Sequence, residues 1–304
     1  MRWQERSNSV LKRLTGYQIL SARSVQALRR DATKNNRREA RTRRELDALT
    51  SKLDAQVKRI EVLTAPKPKP APKLPGDYDD VIRAIWPLVK DRTMTGHEKV
   101  NFLTEAVRYL ERHDIPGGLM ECGVWRGGSM LAIAHTLSRI GMTDRHLYLF
   151  DTFEGMTPPT DRDVHIWEKK DASELLASQS TSMAPIWAAA TLEDVRQGFA
   201  EVDYPDELIH YIVGKVEDTV PESAPEQIAL LRLDTDWYES TKHELNHLYS
   251  RLAPGGVLVI DDYGSWQGSK DATDEFLAET GEPLMLTRVG RGRVGIKPGL
   301  ATRV

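Results

Sequence analysis

From about residue 117 onward the sequence repeats one unit: a short apolar run, a glycine or an acidic residue at its end, then a stretch with helical periodicity. The apolar runs predict strands at 119–122, 146–150, 209–213, 228–233 and 257–260, with helices at 128–140, 192–200, 239–252 and 270–280 between them. Two further strands, 284–289 and 293–297, end the series. Runs this short and this apolar belong to strands covered on both faces. Their alternation with helices specifies an α/β fold with a doubly wound, mostly parallel, seven-stranded sheet of Rossmann-like type. Two helices, 78–91 and 97–113, are expected before the first strand; Val100, Leu103, Ala106, Val107 and Leu110 form the apolar face of the second. In such sheets ligands lie beyond the C-terminal strand ends, and there the acidic residues collect.

The region ahead of this domain has a different character. Residues 1–65 carry 16 Lys and Arg against 7 Asp and Glu, although the whole chain has a formal charge of −3. Two regions of opposite charge point to two physical tasks. Leu11, Leu14, Val25, Leu28, Ala32, Leu46, Leu49, Leu53, Ile60 and Leu63 share one heptad phase. The pattern predicts an α-helical coiled coil over 1–64 and a homo-oligomer through residues 11–63. Residues 65–76 (APKPKPAPKLPG) read as an extended Pro/Lys linker, and 77–304 as the globular α/β domain. The cluster Arg37, Arg38, Arg41, Arg43 and Arg44 suits peripheral contact with an anionic membrane surface. No aromatic residue interleaves it, so nucleic acid is not an expected partner. Cys122 is the sole cysteine, which excludes an intrachain disulfide and a cysteine-based zinc site. No signal-peptide core or membrane-spanning run stands out, and the expected location is the cytoplasm, on or near the inner face of the membrane.

Three motifs carry chemistry. The first strand ends in Glu121-Cys-Gly123-Val-Trp-Arg-Gly-Gly-Ser129 and runs into a helix, where glycine admits a ligand close to the backbone. The spacing is not that of a dinucleotide fingerprint and suits the methionine end of S-adenosylmethionine better. The second strand ends at Asp151, placed either to accept the ribose hydroxyls of a nucleoside or to cap the turn. The fourth strand ends in Asp234-Thr-Asp236, and the next in Asp261-Asp262. Three carboxylates at neighbouring strand tips with no adjacent cation would repel one another, and a bound dication would remove the conflict. All-oxygen ligation fits Mg²⁺ or Ca²⁺. Asp234 ends the apolar run directly and is the preferred ligand, which leaves Asp236 as a structural cap.

Taken together, ECGVWRGGS at 121–129, FDTFEGM at 150–156, LRLDTDWYEST at 231–241 and LAPGGVLVIDDYG at 252–264 resemble the macrocin/mycinamicin O-methyltransferase family, bacterial enzymes that methylate sugar hydroxyls. The resemblance covers residues 93–297 and leaves 1–76 outside. It implies a class I, S-adenosylmethionine- and Mg²⁺-dependent O-methyltransferase with a sugar-containing acceptor. It also implies that Thr95, Glu121, Gly123, Ser129, Asp151, Thr152, Val216 and Asp234 border the methyl donor, and that Asp234, Asp261 and Asp262 hold the metal. The catalytic base would be Asp234 or His165, the latter in a loop over 156–190 where it reads equally as a surface residue. Trp167, Met183 and Trp187 in that loop fit a lid over the acceptor, and the two tryptophans fit core packing or an oligomer contact equally well. Two other readings compete: a metal-dependent glycosyltransferase using Asp234-Thr-Asp236 as a D-x-D motif, and an inactive scaffold acting through its coiled coil.

Overall fold

The computed structural model describes residues 74–178 and 189–299, with scattered positions inside 26–57. It divides into two units, Met1–Lys73 and Leu74–Val304. Every described position of the first unit is helical. Leu46, Leu49 and Leu53, three residues of the expected seam, are exposed there. The remaining seam leucines, the basic residues Arg37 and Arg38, the linker from 65 to 73, and Met183 and Trp187 lie outside the described residues.

The second unit opens with helix α1 (Asp80–Val89), which Asp79 caps by accepting the N–H groups of Val81 and Ile82. Helix α2 (His97–Arg112) follows and buries the expected face, Val100 to Leu110. Strands β1 (Gly118–Cys122), β2 (Leu147–Asp151), β3 (Ile209–Val213), β4 (Ile228–Leu233) and β5 (Leu252–Ile260) are parallel. Strands β6 (Thr287–Val289) and β7 (Gly292–Ile296) form an antiparallel hairpin whose second strand pairs with β5. The sheet order is β3-β2-β1-β4-β5-β7-β6. The strand order reverses between the parallel neighbours β1 and β4, so the crevice of this sheet opens at their tips.

Helices α3 (Gly128–Ile140), α4 (Ala172–Ser178), α5 (Leu192–Phe199), α6 (Val216–Thr219), α7 (Tyr238–Leu248) and α8 (Gln267–Thr280) connect the strands. Two hydrophobic clusters lie on opposite faces of the sheet. One joins α1, α2 and α3 to Leu119, Leu147, Leu149 and Leu230, and the other joins α7 and α8 to Met120, Phe150, Leu231 and Leu258. Alternate residues of one strand therefore feed different cores, the period of two that a strand imposes. Several boundaries differ from expectation: α8 starts at Gln267 rather than 270, α7 ends at Leu248 rather than 252, and β6 starts only at Thr287. β5 begins before Pro254-Gly-Gly256 because Leu252 already pairs with Ile228, and register shifts so that Val257 meets Leu230. The Pro-Gly-Gly segment is looped out of a strand rather than placed ahead of it. Helices α4 and α6 carry no sequence signal strong enough to predict them. No helix among the described residues is long and apolar enough to cross a membrane.

Candidate active site

A cavity of about 660 Å³ opens at the tips of β1, β2, β4 and β5. Two glycines make it by letting backbone segments touch. Gly123 has φ +84°, and a Cβ there would lie 2.1 Å from the Asp234 carbonyl oxygen. A Cβ on Gly128 would lie 2.5 Å from the Arg92 carbonyl oxygen, which accepts the Gly128 N–H at 2.9 Å. The segment between α1 and α2 is thereby pinned over the start of α3. It brings Thr95 and Lys99 into the cavity wall. The hydroxyl of Thr95 is buried and has no hydrogen-bond partner, so the site presents an unused polar atom to a ligand.

Of the residues expected to border a methyl donor, Thr95, Gly123, Ser129, Asp151, Thr152, Val216 and Asp234 line this one cavity. Glu121 does not. It is almost fully buried under the β1 tip, with Oε1 on Arg232 and Oε2 unpartnered. Asp151 caps the turn, the second of its two readings. Its Oδ2 accepts the N–H groups of Val124 (2.6 Å) and Trp125 (3.0 Å), and its Oδ1 accepts that of Phe153 (2.7 Å). The carboxylate thus fixes the glycine turn and still faces the cavity.

Asp234, Asp261 and Asp262 converge, with one oxygen of each lying within 4.8 Å of the others. The expectation that no cation adjoins them is wrong. Arg232 Nη1 donates to Asp234 Oδ2 at 2.6 Å and also to Glu121, while Nη2 donates to Asp261 Oδ1 at 2.6 Å. Lys99 Nζ pairs with Asp261 Oδ2. The physical reason is the strand period: Arg232 shares its face of β4 with Asp234, two residues on. Even so, five carboxyls (Glu121, Asp234, Asp236, Asp261, Asp262) meet two cations. Burial pushes the Asp262 carboxyl well up, helped by Asp236 and Asp261, and Asp262 Oδ2 is buried without a partner. Burial and Asp261 raise Asp234 as well, against the pull of Arg232. At Asp261 the two cations outweigh burial and hold the carboxyl below its ordinary value. Unmatched negative charge and an orphaned carboxylate oxygen fit a hard divalent cation.

Asp236, set aside above as a cap, lines the cavity too. Its φ is +65°, in a three-residue turn closed by the Trp237 N–H on the Thr235 carbonyl at 2.7 Å. Strain of this kind is held only where surrounding structure enforces it. Burial and then Asp234 raise the Asp236 carboxyl to about 7, and it lies within hydrogen-bond reach of Asp262. No local sequence signal separates it from an ordinary turn aspartate.

His165 is a buried wall of the same cavity rather than a surface residue. It pairs in a β-bridge with Trp266, whose ring meets the imidazole edge-on at 5.1 Å. Its Nδ1 accepts the Glu168 N–H at 3.1 Å, so the neutral ring carries its proton on Nε2. Trp167 is 62% exposed, and its indole N–H is fixed on the Gly264 carbonyl at 2.9 Å.

Comparison with known proteins identifies the family. The model of the macrocin O-methyltransferase family (TylF) matches residues 23–291. It reaches into the basic region, so the resemblance is not confined to 93–297. A demethyldecarbamoylnovobiocin O-methyltransferase of Streptomyces niveus is 32% identical over 194 residues, 64% of this chain and 70% of that protein. An 8-demethyl-8-(2,3-dimethoxy-alpha-L-rhamnosyl)-tetracenomycin-C 4'-O-methyltransferase of Streptomyces olivaceus is 34% identical over 196 residues, 64% and 71% of the two chains. A mycinamicin III 3''-O-methyltransferase of Micromonospora griseorubida is 31% identical over 177 residues, 56% of this chain and 65% of that one. Among solved structures, the O-methyltransferase NovP superposes with a TM-score of 0.59 at 29% identity, covering 68% of this chain and 83% of its own. The D-x-D glycosyltransferase reading gives way to these relationships. A Rossmann-like sheet with a glycine turn on its first strand, and a family match across most of the sequence, make this chain a member of the macrocin O-methyltransferase family.

Proposed function

We propose that the chain transfers a methyl group from S-adenosylmethionine to a sugar hydroxyl of a glycan, glycolipid or glycosylated natural product, with a divalent cation, Mg²⁺ by preference, held by Asp234, Asp261 and Asp262. The observation that carries this is the convergence of those three carboxylates, one with an orphaned buried oxygen, in the wall of the cavity that Thr95, Gly123, Ser129 and Asp151 line. The cation would supply charge that lowers the pKa of a coordinated hydroxyl, and the sulfonium donor would supply the methyl group.

The chain's own residues divide the remaining work. Thr95 Oγ1 is free to donate to the donor's carboxylate. Asp151 holds the turn of Gly123 in place. Asp236 is the proton acceptor that best fits the geometry. One oxygen of Asp234 is already taken by Arg232, and His165 presents a donor at Nε2, suited to hold an acceptor oxygen rather than to take its proton. Trp167, fixed and exposed beside His165, is a platform on which a sugar ring could stack rather than part of a moving lid. Replacement of both Asp261 and Asp262 by Ala should abolish turnover while binding of S-adenosylhomocysteine stays measurable by calorimetry. Full activity in excess EDTA would refute the metal role.

Residues 1–64 are proposed to form an oligomerising helical arm, joined by the 65–76 linker to a catalytic domain over 77–304. The support is the heptad phase and the exposure of Leu46, Leu49 and Leu53. Its basic face would keep a cytoplasmic enzyme near an anionic membrane surface, where a polymeric or lipid-linked acceptor is made. Sedimentation of the full chain against residues 74–304 tests the arm: the same number of protomers per particle in both would remove it.

A further inference from the structure

Both oxygens of Asp261 are occupied by cations of this chain. Arg232 Nη2 donates to Oδ1, and Lys99 Nζ donates to Oδ2 and, at 3.2 Å, to the Asp261 carbonyl oxygen. The two cations differ in freedom. Arg232 sits on the central strand β4, is 2% exposed, and grips Glu121 and Asp234 as well. Lys99 stands in the first turn of α2 and reaches the cluster on a flexible stem. Asp261 is its sole ion-pair partner among the described residues. An ion entering the cluster therefore meets Asp261 at Oδ2, the atom that Lys99 holds. An ammonium and a dication cannot both sit at contact distance on one oxygen without strong mutual repulsion.

We propose that Lys99 is a resident cation of the acidic cluster, and that its ammonium and a divalent ion occupy Asp261 Oδ2 in alternation. This rests on the metal reading above. In the ion-free enzyme Lys99 offsets part of the carboxylate repulsion, which keeps the β5 tip ordered. Metal uptake must break that pair, so Lys99 raises the ion concentration needed to fill the site. Once displaced, the ammonium stays in the wall of the cavity that takes the donor and acceptor.

The test is calorimetric titration of Mg²⁺, and separately Mn²⁺, into the full-length protein, with melting temperature read before and after. Wild type, Lys99→Met and Lys99→Arg are compared without donor or acceptor. Lys99→Met should bind either ion about tenfold more tightly or better, because a like charge beside the ligand is gone. Without ion it should melt below wild type, and ion should close the gap. Lys99→Arg should bind no more tightly than wild type. If Lys99→Met fails to fold, Lys99→Gln is expected to show the same sign. Equal or weaker ion binding in the neutral variants would overturn the proposal and leave Lys99 as a support for Asp261. Absence of ion binding in every protein, wild type included, would remove the metal reading and this inference with it.

Discussion

Two arginines at opposite ends of the sheet show how one side chain can serve two purposes. Arg145, just ahead of β2, pairs with Glu111 (Nε to Oε1, 2.8 Å) and donates through Nη1 to the carbonyls of Ile115 (2.6 Å) and Gly117 (2.8 Å). One carboxylate and two carbonyls meet one guanidinium, and the account balances. Arg232, at the other end, meets Glu121, Asp234 and Asp261. Its end of the sheet stays over-supplied with negative charge, with Glu121 Oε2 and Asp262 Oδ2 unpartnered. A matched arginine fastens loops to a sheet. An outnumbered one holds carboxylates together in a geometry that another cation can complete.

The largest test of this contrast is Arg232→Met. Leaving several buried carboxylates without their guanidinium should cost about 3–5 kcal/mol in urea unfolding without metal. Saturating Mg²⁺ should recover a substantial part of it. Arg145→Met should cost about 1–3 kcal/mol, the penalty for unpaired buried groups, with no recovery by Mg²⁺ and unchanged turnover per folded molecule. Equal rescue of both variants would break the comparison. The smallest effect concerns a third arginine, Arg126, which grips Asp194 with two bonds (2.8 and 3.0 Å) at the surface. That bond holds the Asp194 carboxyl below its ordinary value. A depressed pKa contributes stability above the unfolded value of about 3.9, and the contribution is lost as pH falls through the folded value. Asp194→Asn should therefore lower the unfolding free energy from urea titration near neutrality by less than about 1 kcal/mol, and the difference from wild type should vanish in acid.

Most of the sheet was legible because its strands announce themselves as short apolar runs, each closed by glycine or an acid. The 128–140 helix and the strands at 209–213 and 228–233 fall where the periodicity puts them. The convergence of Asp234, Asp261 and Asp262 was legible for the same reason, since acids at neighbouring strand tips meet at the crevice. Arg232 was within reach but overlooked. A lone charge inside IALLRL, two residues before Asp234, is a signal that the strand face carries a partner. Lys99 was not legible, because its pairing joins α2 to β5 across 162 positions and nothing local marks it. Asp236 was not separable either: its left-handed backbone lies in a tight turn closed by Thr235 and Trp237, and nothing in DTDW marks that turn as part of a cavity wall.

The link between α1 and α2 precedes the first strand, yet its Arg92 carbonyl seats α3, and its Thr95 lines the crevice together with Lys99 from the first turn of α2. A piece of chain translated before any of the sheet thus becomes the roof of the finished reaction chamber. Shortened versions that begin at β1 would keep every strand and lose that roof. Any minimal form of this enzyme has to start ahead of α1.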